Sequence, residues 1–314
     1  MVYVSGFCLL KGGRSAGTSP TACVFTPRRA AMALVSKLSG DEQRIVFGQL
    51  CNVLEPRVAV AFCSTSNELR EPTLALLQQL KADYETAVAL CLRVGMSCKQ
   101  LREARTVDWR YKGFSEADLT LLGTLGSVLP ALEVLILLET SATAAGPDGM
   151  QRLAAGLGAG ALPAVTWLRL SMHVGDAGAS ALAAALGRGA MPRLKLLNLT
   201  SAGIGDAALV ALALALRRLP ALESLRLSYN PLGDEGLAAL VVPPPTTGAL
   251  SPPIVVLTML KRLILRSTQI TDTGCATLAS ALDSGALPAL DWLNLDGIPA
   301  SVAAIATCMR LATR

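Results

Sequence analysis

From residue 104 onward, apolar residues fall into a recurring pattern: a short run with leucine at its first, fourth and sixth positions, then an Ala/Leu stretch. The short run is Leu132, Leu135 and Leu137, then Val165, Leu168 and Leu170, then Leu194, Leu197 and Leu199. It returns as Leu222, Leu225 and Leu227, as Leu260, Leu263 and Leu265, and as Leu290, Leu293 and Leu295. Projected one period back, the same frame gives Ala104, Val107 and Trp109, a divergent first copy. Seven copies therefore start at 104, 132, 165, 194, 222, 260 and 290, spaced by 28, 33, 29, 28, 38 and 30 residues. The alternation inside each run predicts a strand with one buried face. A turn follows, ending in Gly175-Asp176, Gly205-Asp206, Gly233-Asp234 or Thr271-Asp272. Glycine supplies positive φ there, and aspartate is a favoured helix N-cap. Short helices are expected around Leu153–Leu157, Leu182–Leu186, Leu209–Leu216 and Leu278–Leu282. Most copies close on Leu-Pro or Met-Pro, often after a glycine, which ends a helix and keeps it from continuing.

No single copy can bury both its leucine strand and the inner face of its helix, so the copies must stack. The expected fold is an α/β solenoid, a curved parallel sheet inside with helices outside. The units resemble the ribonuclease-inhibitor class of leucine-rich repeats. The resemblance covers residues 104–314, is strongest over Leu194–Leu240, and implies a horseshoe that binds other proteins. The ladder position of that class, usually Asn or Cys, is Asn230 in one copy but Thr140, Ala202 and Thr268 in others. The longest spacing holds a Pro-rich insertion at 241–253, expected to leave the solenoid as a surface loop, either a tolerated insertion or a docking motif.

Residues 32–103 read as a small all-helical segment. One reading is a cap over the apolar end of the first repeat, which solenoids require. The other rests on Leu38-Ser39-Gly40-Asp41-Glu42, Ile45-Val46-Phe47, Leu50, Leu54-Glu55-Pro56, Phe62, Ser66 and Leu69-Arg70, which together resemble an F-box, with Ser39 in place of that motif's usual proline. The resemblance implies binding to the adaptor of a cullin–RING ubiquitin ligase, with Leu38, Ile45, Phe47, Leu50 and Pro56 in or near the adaptor-facing helices. Residues 1–31 contain Gly12-Gly13, Ser19-Pro20 and Arg28-Arg29, have no acid and show no helical period. They read as a disordered or organellar-targeting tail, or as sequence ahead of a true start at Met32.

Composition narrows the function. The formal charge of +5 resides in residues 1–40, leaving 23 basic and 23 acidic residues in the remainder. A nucleic-acid binder would carry its excess on the folded domain, so nucleic acid is not an expected partner. Mean hydropathy is +0.49, yet the longest apolar run, Ala207–Leu216, is half of the ~20 residues a membrane span needs. Eight scattered cysteines without a CxxC, and His173 as the sole histidine, suggest reduced thiols in an intracellular (cytoplasmic or nuclear) protein without metal or cofactor. Gly156, Gly158 and Gly160 follow a helix instead of joining strand to helix, so they are no dinucleotide loop. The sequon Asn198-Leu199-Thr200 lies within a strand. No catalytic constellation is legible, and a non-enzymatic role is expected.

A partner would meet the strand residues that alternate with the buried leucines. That outward set is Thr106, Asp108, Arg110 and Tyr111; Val134, Ile136, Leu138 and Glu139; Trp167, Arg169, Ser171 and Met172; and Leu196, Asn198 and Thr200. It continues through Ser224, Arg226, Ser228 and Tyr229; Arg262, Ile264, Arg266 and Ser267; and Trp292, Asn294 and Asp296. Trp, Tyr and Arg dominate protein–protein binding energy, which marks Trp167, Arg169, Arg226, Tyr229, Arg266 and Trp292 as the expected anchors. The expected function is protein binding on the concave face, as substrate receptor of a cullin–RING ubiquitin ligase if the helical segment is an F-box. The alternatives are a stand-alone scaffold, sensor or inhibitor, and a small-GTPase regulator, for which the expected arginine on a strand-to-turn loop is missing.

Overall fold

The computed structural model describes residues 37–64, 67–139, 146–242 and 256–312. The tail at 1–31, Ser66, Thr140 and all but the first two residues of the Pro-rich insertion lie outside the described residues. Among the described residues, seven strands, β1 (Thr106–Arg110), β2 (Val134–Leu138), β3 (Trp167–Ser171), β4 (Leu196–Asn198), β5 (Ser224–Arg226), β6 (Arg262–Ile264) and β7 (Trp292–Asn294), form one sheet in sequence order. All neighbours are parallel, and the register follows the repeat. Val107 faces Leu135, Leu135 faces Leu168, and Leu197, Leu225, Leu263 and Leu293 continue the row.

The helices are α1 (Gly40–Leu50), α2 (Arg57–Cys63), α3 (Asn67–Val94) and α4 (Cys98–Glu103), then one per repeat. These are α5 (Glu116–Leu125), α6 (Pro147–Gly156), α7 (Gly175–Gly187), α8 (Asp206–Leu216), α9 (Asp234–Val241), α10 (Asp272–Asp283) and α11 (Val302–Ala312). Strand–helix alternation stacks the repeats, and the frame leucines from Leu132 to Leu295 become a single buried column, none more than 8% exposed. Each stabilises the fold by roughly 1.5–3 kcal/mol. Trp109 takes the third leucine's place in the first copy, buried with its ring centroid 5.6 Å from that of Phe114. Gly123 of α5 and Gly156 of α6 let their helices touch backbone to backbone. A Cβ on Gly123 would lie 2.7 Å from the Leu153 carbonyl oxygen, and one on Gly156 2.7 Å from the Gly123 carbonyl carbon.

The Gly-Asp turns work differently from the sequence expectation. The N-caps of α8, α9 and α10 are Gly205, Gly233 and Thr271, and each aspartate is the first helical residue. Its carboxylate reaches the next repeat, where it meets the positive end of a neighbouring helix. Asp176 accepts from the Gly205 amide at 2.7 Å, and Asp206 from Gly233 at 2.6 Å and Gly236 at 3.0 Å. Asp234 accepts from the Thr271 amide at 2.8 Å and its hydroxyl at 2.5 Å, and Asp272 from the Ser301 amide at 2.5 Å. The aspartates thus tie repeat to repeat. Asn230 does the same on the inside. Its Oδ1 accepts from the Ala202 and Ile204 amides, both at 3.0 Å, while its Nδ2 donates to the Leu199 and Leu227 carbonyls, both at 2.8 Å.

The chain divides into two compact units: residues up to Leu50 with Val58–Leu77, and Cys51–Arg57 with Gln78 onward. In the first, the Ser39 hydroxyl accepts from the Glu42 amide at 3.4 Å ahead of α1, the Ser39 amide donates to the Glu42 carboxylate at 2.8 Å, and the Phe47 and Phe62 ring centroids lie 6.1 Å apart. Helix α3 runs through Pro72, which sits in its second turn, where it removes one backbone donor. In the second unit, Leu54, Ala87, Leu90, Cys91 and Leu101 extend the apolar core beyond Val107 and Trp109. Ser97 opens α4 with a capping box to Gln100. Among the described residues, no helix is long and apolar enough to cross a membrane.

Candidate functional site

The sheet presents two rows of side chains away from the leucine core. Across one row, register places Trp167, Leu196, Ser224, Arg262 and Trp292 side by side on β3 to β7. The second row, two residues on, is Arg169, Asn198, Arg226, Ile264 and Asn294. Strands ~4.8 Å apart put Trp167 and Trp292 about 19 Å from each other, with the arginines between. Trp167 is 39% exposed and Trp292 58%. Arg169 and Arg226 are half-buried and Arg266 is exposed. Tyr229 is exposed, with the Arg266 guanidinium 5.7 Å from its ring centroid, a cation–π pair.

All six expected anchors lie on this face, but they group unevenly. Tyr229 and Arg266 form one pair at the edge where the strands end. Arg169 and Arg226 converge with Arg262, which the anchor set omitted although it shares a repeat position with both exposed tryptophans. Burial first, then the positive Arg262 and Arg169, pull the Arg226 guanidinium below its ordinary value. Several other charges along the sheet are paired. Arg105 meets Glu133 at 3.3 Å, Lys261 meets Glu223 at 3.1 Å, and Arg110 chelates Asp108, holding that carboxyl below the usual range.

Seven positions expected to face outward are instead buried. Leu138, Glu139 and Met172 turn inward where the chain leaves its strand, and Glu139 accepts from the Gly113 amide at 2.7 Å. Ser171, Asn198, Ser224 and Ser228 are short side chains overshadowed by larger neighbours. Asn198 folds back to accept from the Thr200 amide at 3.0 Å, so the sequon has no accessible acceptor. His173 is exposed beside Gly203. Among the described residues, no cluster of three His, Cys, Asp or Glu side chains converges as a metal site.

The positions carried over from the F-box resemblance scatter. Ile45 is 66% exposed, Leu38 and Leu50 are half-buried, and Phe47 is fully buried. An aromatic locked in the interior offers nothing to an adaptor, so Phe47 is a core residue instead of a contact. Pro56 belongs to the other compact unit and lines a cleft of about 910 Å³ with Leu54, Tyr84, Val88, Leu92 and Met96. That cleft had no signal in the sequence, because its walls come from three separated segments.

A family model described as leucine rich repeat matches residues 191–213, 219–241 and 256–279. No curated protein matches the chain. Among solved structures, actin-binding site 2 of leiomodin-1 is similar at 14% identity and a TM-score of 0.37, covering 64% of this chain and 89% of that one. An internalin (InlF) of Listeria monocytogenes is similar at 17% identity and a TM-score of 0.33, over 61% of this chain and 48% of its own. With seven parallel strands in repeat register and the matched segments inside that frame, the protein is a leucine-rich-repeat solenoid preceded by a helical segment.

Proposed function

We propose that this protein is a non-enzymatic binding scaffold that holds a protein partner on the concave face of its sheet. One observation carries the reading: two exposed tryptophans bracket a group of arginines on a continuous sheet face, with the exposed Tyr229 at its edge. Such aromatic and guanidinium groups are the usual energetic anchors of protein interfaces. The test is capture of binding proteins by the full chain, by a Trp167→Ala/Arg226→Ala variant and by Leu214→Ala, which alters an exposed residue of α8. Loss in the first variant alone supports the concave face, and unchanged capture by it overturns the proposal.

The finer reading makes the scaffold a substrate receptor, with the ribonuclease-inhibitor-like repeats of 104–314 as the receiving part and residues 32–103 as the module that docks a cullin–RING adaptor. It is favoured by four exposed apolar side chains in the small helical unit, Ile45, Val58, Leu74 and Leu76. Co-purification of the full chain with the adaptor, beside Ile45→Asp, tests it. Ile45 suits the purpose because it is exposed and its replacement spares the Phe47–Phe62 core. Absence of the adaptor from folded protein leaves the stand-alone scaffold, with the helices as a cap.

A further inference from the structure

We infer that the concave face is built for an acidic, extended peptide segment of the partner, its carboxylates seated on Arg169, Arg226 and Arg262. This rests on the concave-face reading and adds the chemistry of the occupant. The three guanidinium groups come from β3, β5 and β6 of one face, and none forms an ion pair among the described residues. The acids whose charge reaches them are already engaged: Asp108 is bound by Arg110, and Glu223 by Lys261. Beneath them two buried polar atoms, Ser224 Oγ and Arg226 Nε, have no hydrogen-bond partner among the described residues. Ser224 is fully buried opposite Arg262 in the register, so its hydroxyl is a donor held away from bulk water.

Like charges held together beside unsatisfied donors cost stability unless something neutralises them. Arg105, Arg110 and Lys261 on this sheet each hold a direct ion pair, whereas Asp108 and Glu223 act on Arg169 and Arg262 only at a distance. A carboxylate would accept two parallel bonds from a guanidinium. Arg169 and Arg226 stand two strands apart, about 10 Å, close to the ~9.3 Å between residues i and i+3 on one face of an extended polyproline-II segment. Carboxylates three positions apart therefore match the arginines. The flanking Trp167 and Trp292 would cover apolar residues on either side.

The test uses the full chain and its tryptophan fluorescence, since Trp109 is buried and only Trp167 and Trp292 can sense a ligand. The probes are a tryptophan-free peptide with glutamates three residues apart, its all-glutamine counterpart, and a single-stranded RNA of equal charge. The expected result is a blue shift with the glutamate peptide that weakens as ionic strength rises from about 0.05 to about 0.5 M. Arg226→Ala/Arg262→Ala should lower that affinity about tenfold or more. The same variant should melt no lower than the wild type, because it removes mutual repulsion, so lost binding is separable from lost folding. Equal response to the glutamine peptide, tighter binding of RNA, or undiminished binding by the variant overturns the inference. No response to any probe, while Trp167→Ala/Arg226→Ala still abolishes partner capture, sinks the acidic segment alone and leaves the concave-face reading standing.

Discussion

Asn230 joins two repeats through the densest set of side-chain hydrogen bonds in the core, and its removal should show how far the stack depends on one residue. The side chain is 2% exposed, and the groups it serves belong to Ala202 and Ile204, both fully buried, and to the Leu199 and Leu227 carbonyls. Asn230→Ala orphans two amides that have no water to turn to. At about 1–3 kcal/mol for each buried donor left unpaired, and with the carbonyls partly relieved by relaxation, the expected loss is about 3–5 kcal/mol. Asn230→Asp is more discriminating. It keeps the acceptor for the two amides but turns the donor into an oxygen facing two carbonyls at 2.8 Å. That site favours the protonated acid, so the folded pKa rises above the unfolded value of about 3.9. A group whose folded pKa is raised supports the fold most below its unfolded pKa and loses that support as pH climbs through the folded one. Measured against wild type at each pH, Asn230→Asp should cost more at about pH 7 than at about pH 4. Urea denaturation followed by circular dichroism, with hydrogen exchange at the Ala202 and Ile204 amides, gives both quantities. A loss below about 1 kcal/mol for the alanine variant, or a pH-independent loss for the acid, would refute the account of the ladder.

Gly123→Val should lower stability by about 1–3 kcal/mol or more by driving α5 off α6, whereas Gly187→Ala, with open space around its Cβ and ordinary φ, should raise the melting temperature slightly. Asp234→Ala frees the Thr271 amide and hydroxyl, and should cost about 1–2 kcal/mol, read as faster hydrogen exchange in α10. Burial pushes the Cys275 and Cys91 thiols up to about 12, so alkylation at neutral pH followed by peptide mass spectrometry should find both protected until the chain unfolds. The half-exposed Cys51 should react ahead of them.

The solenoid was legible because seven imperfect copies average out the ambiguity of any one. A lone Leu-x-x-Leu-x-Leu run is a weak signal, but six repetitions fix strand, turn and helix together. Even the divergent first copy fell into register, Val107 opposite Leu135 and Trp109 opposite Leu137. What escaped was whatever depends on the neighbour across the strand or in the next repeat. Read within its own copy, Asp206 has every reason to cap its own helix, and only stacking shows that it bonds Gly233 instead. The burial of Ser224 follows from the bulk of residues on adjoining strands, which no alternation rule encodes. Arg262 could have been found: it occupies the same frame position as Trp167 and Trp292, and that column was the signal.

The exposed tyrosines separate the demands of stacking from those of binding. The eighth residue of the frame takes left-handed φ at Tyr111, Ser201, Tyr229 and Ser267, between 52° and 57°, and at Gly297, 70°. Glycine adopts that conformation freely, and a residue with a Cβ pays about 1–2 kcal/mol for it. Gly297 demonstrates that the turn itself asks for no side chain. Nor does burial repay the strain, since Tyr111 is 65% exposed and Tyr229 50%. Stability alone would therefore put glycine at both. A tyrosine at a strained, solvent-facing site, with Arg266 over one ring, is therefore not required by the repeat turn. The leucine, aspartate and asparagine positions hold the repeats together, which frees the positions between them to carry aromatic and basic groups that the fold does not need.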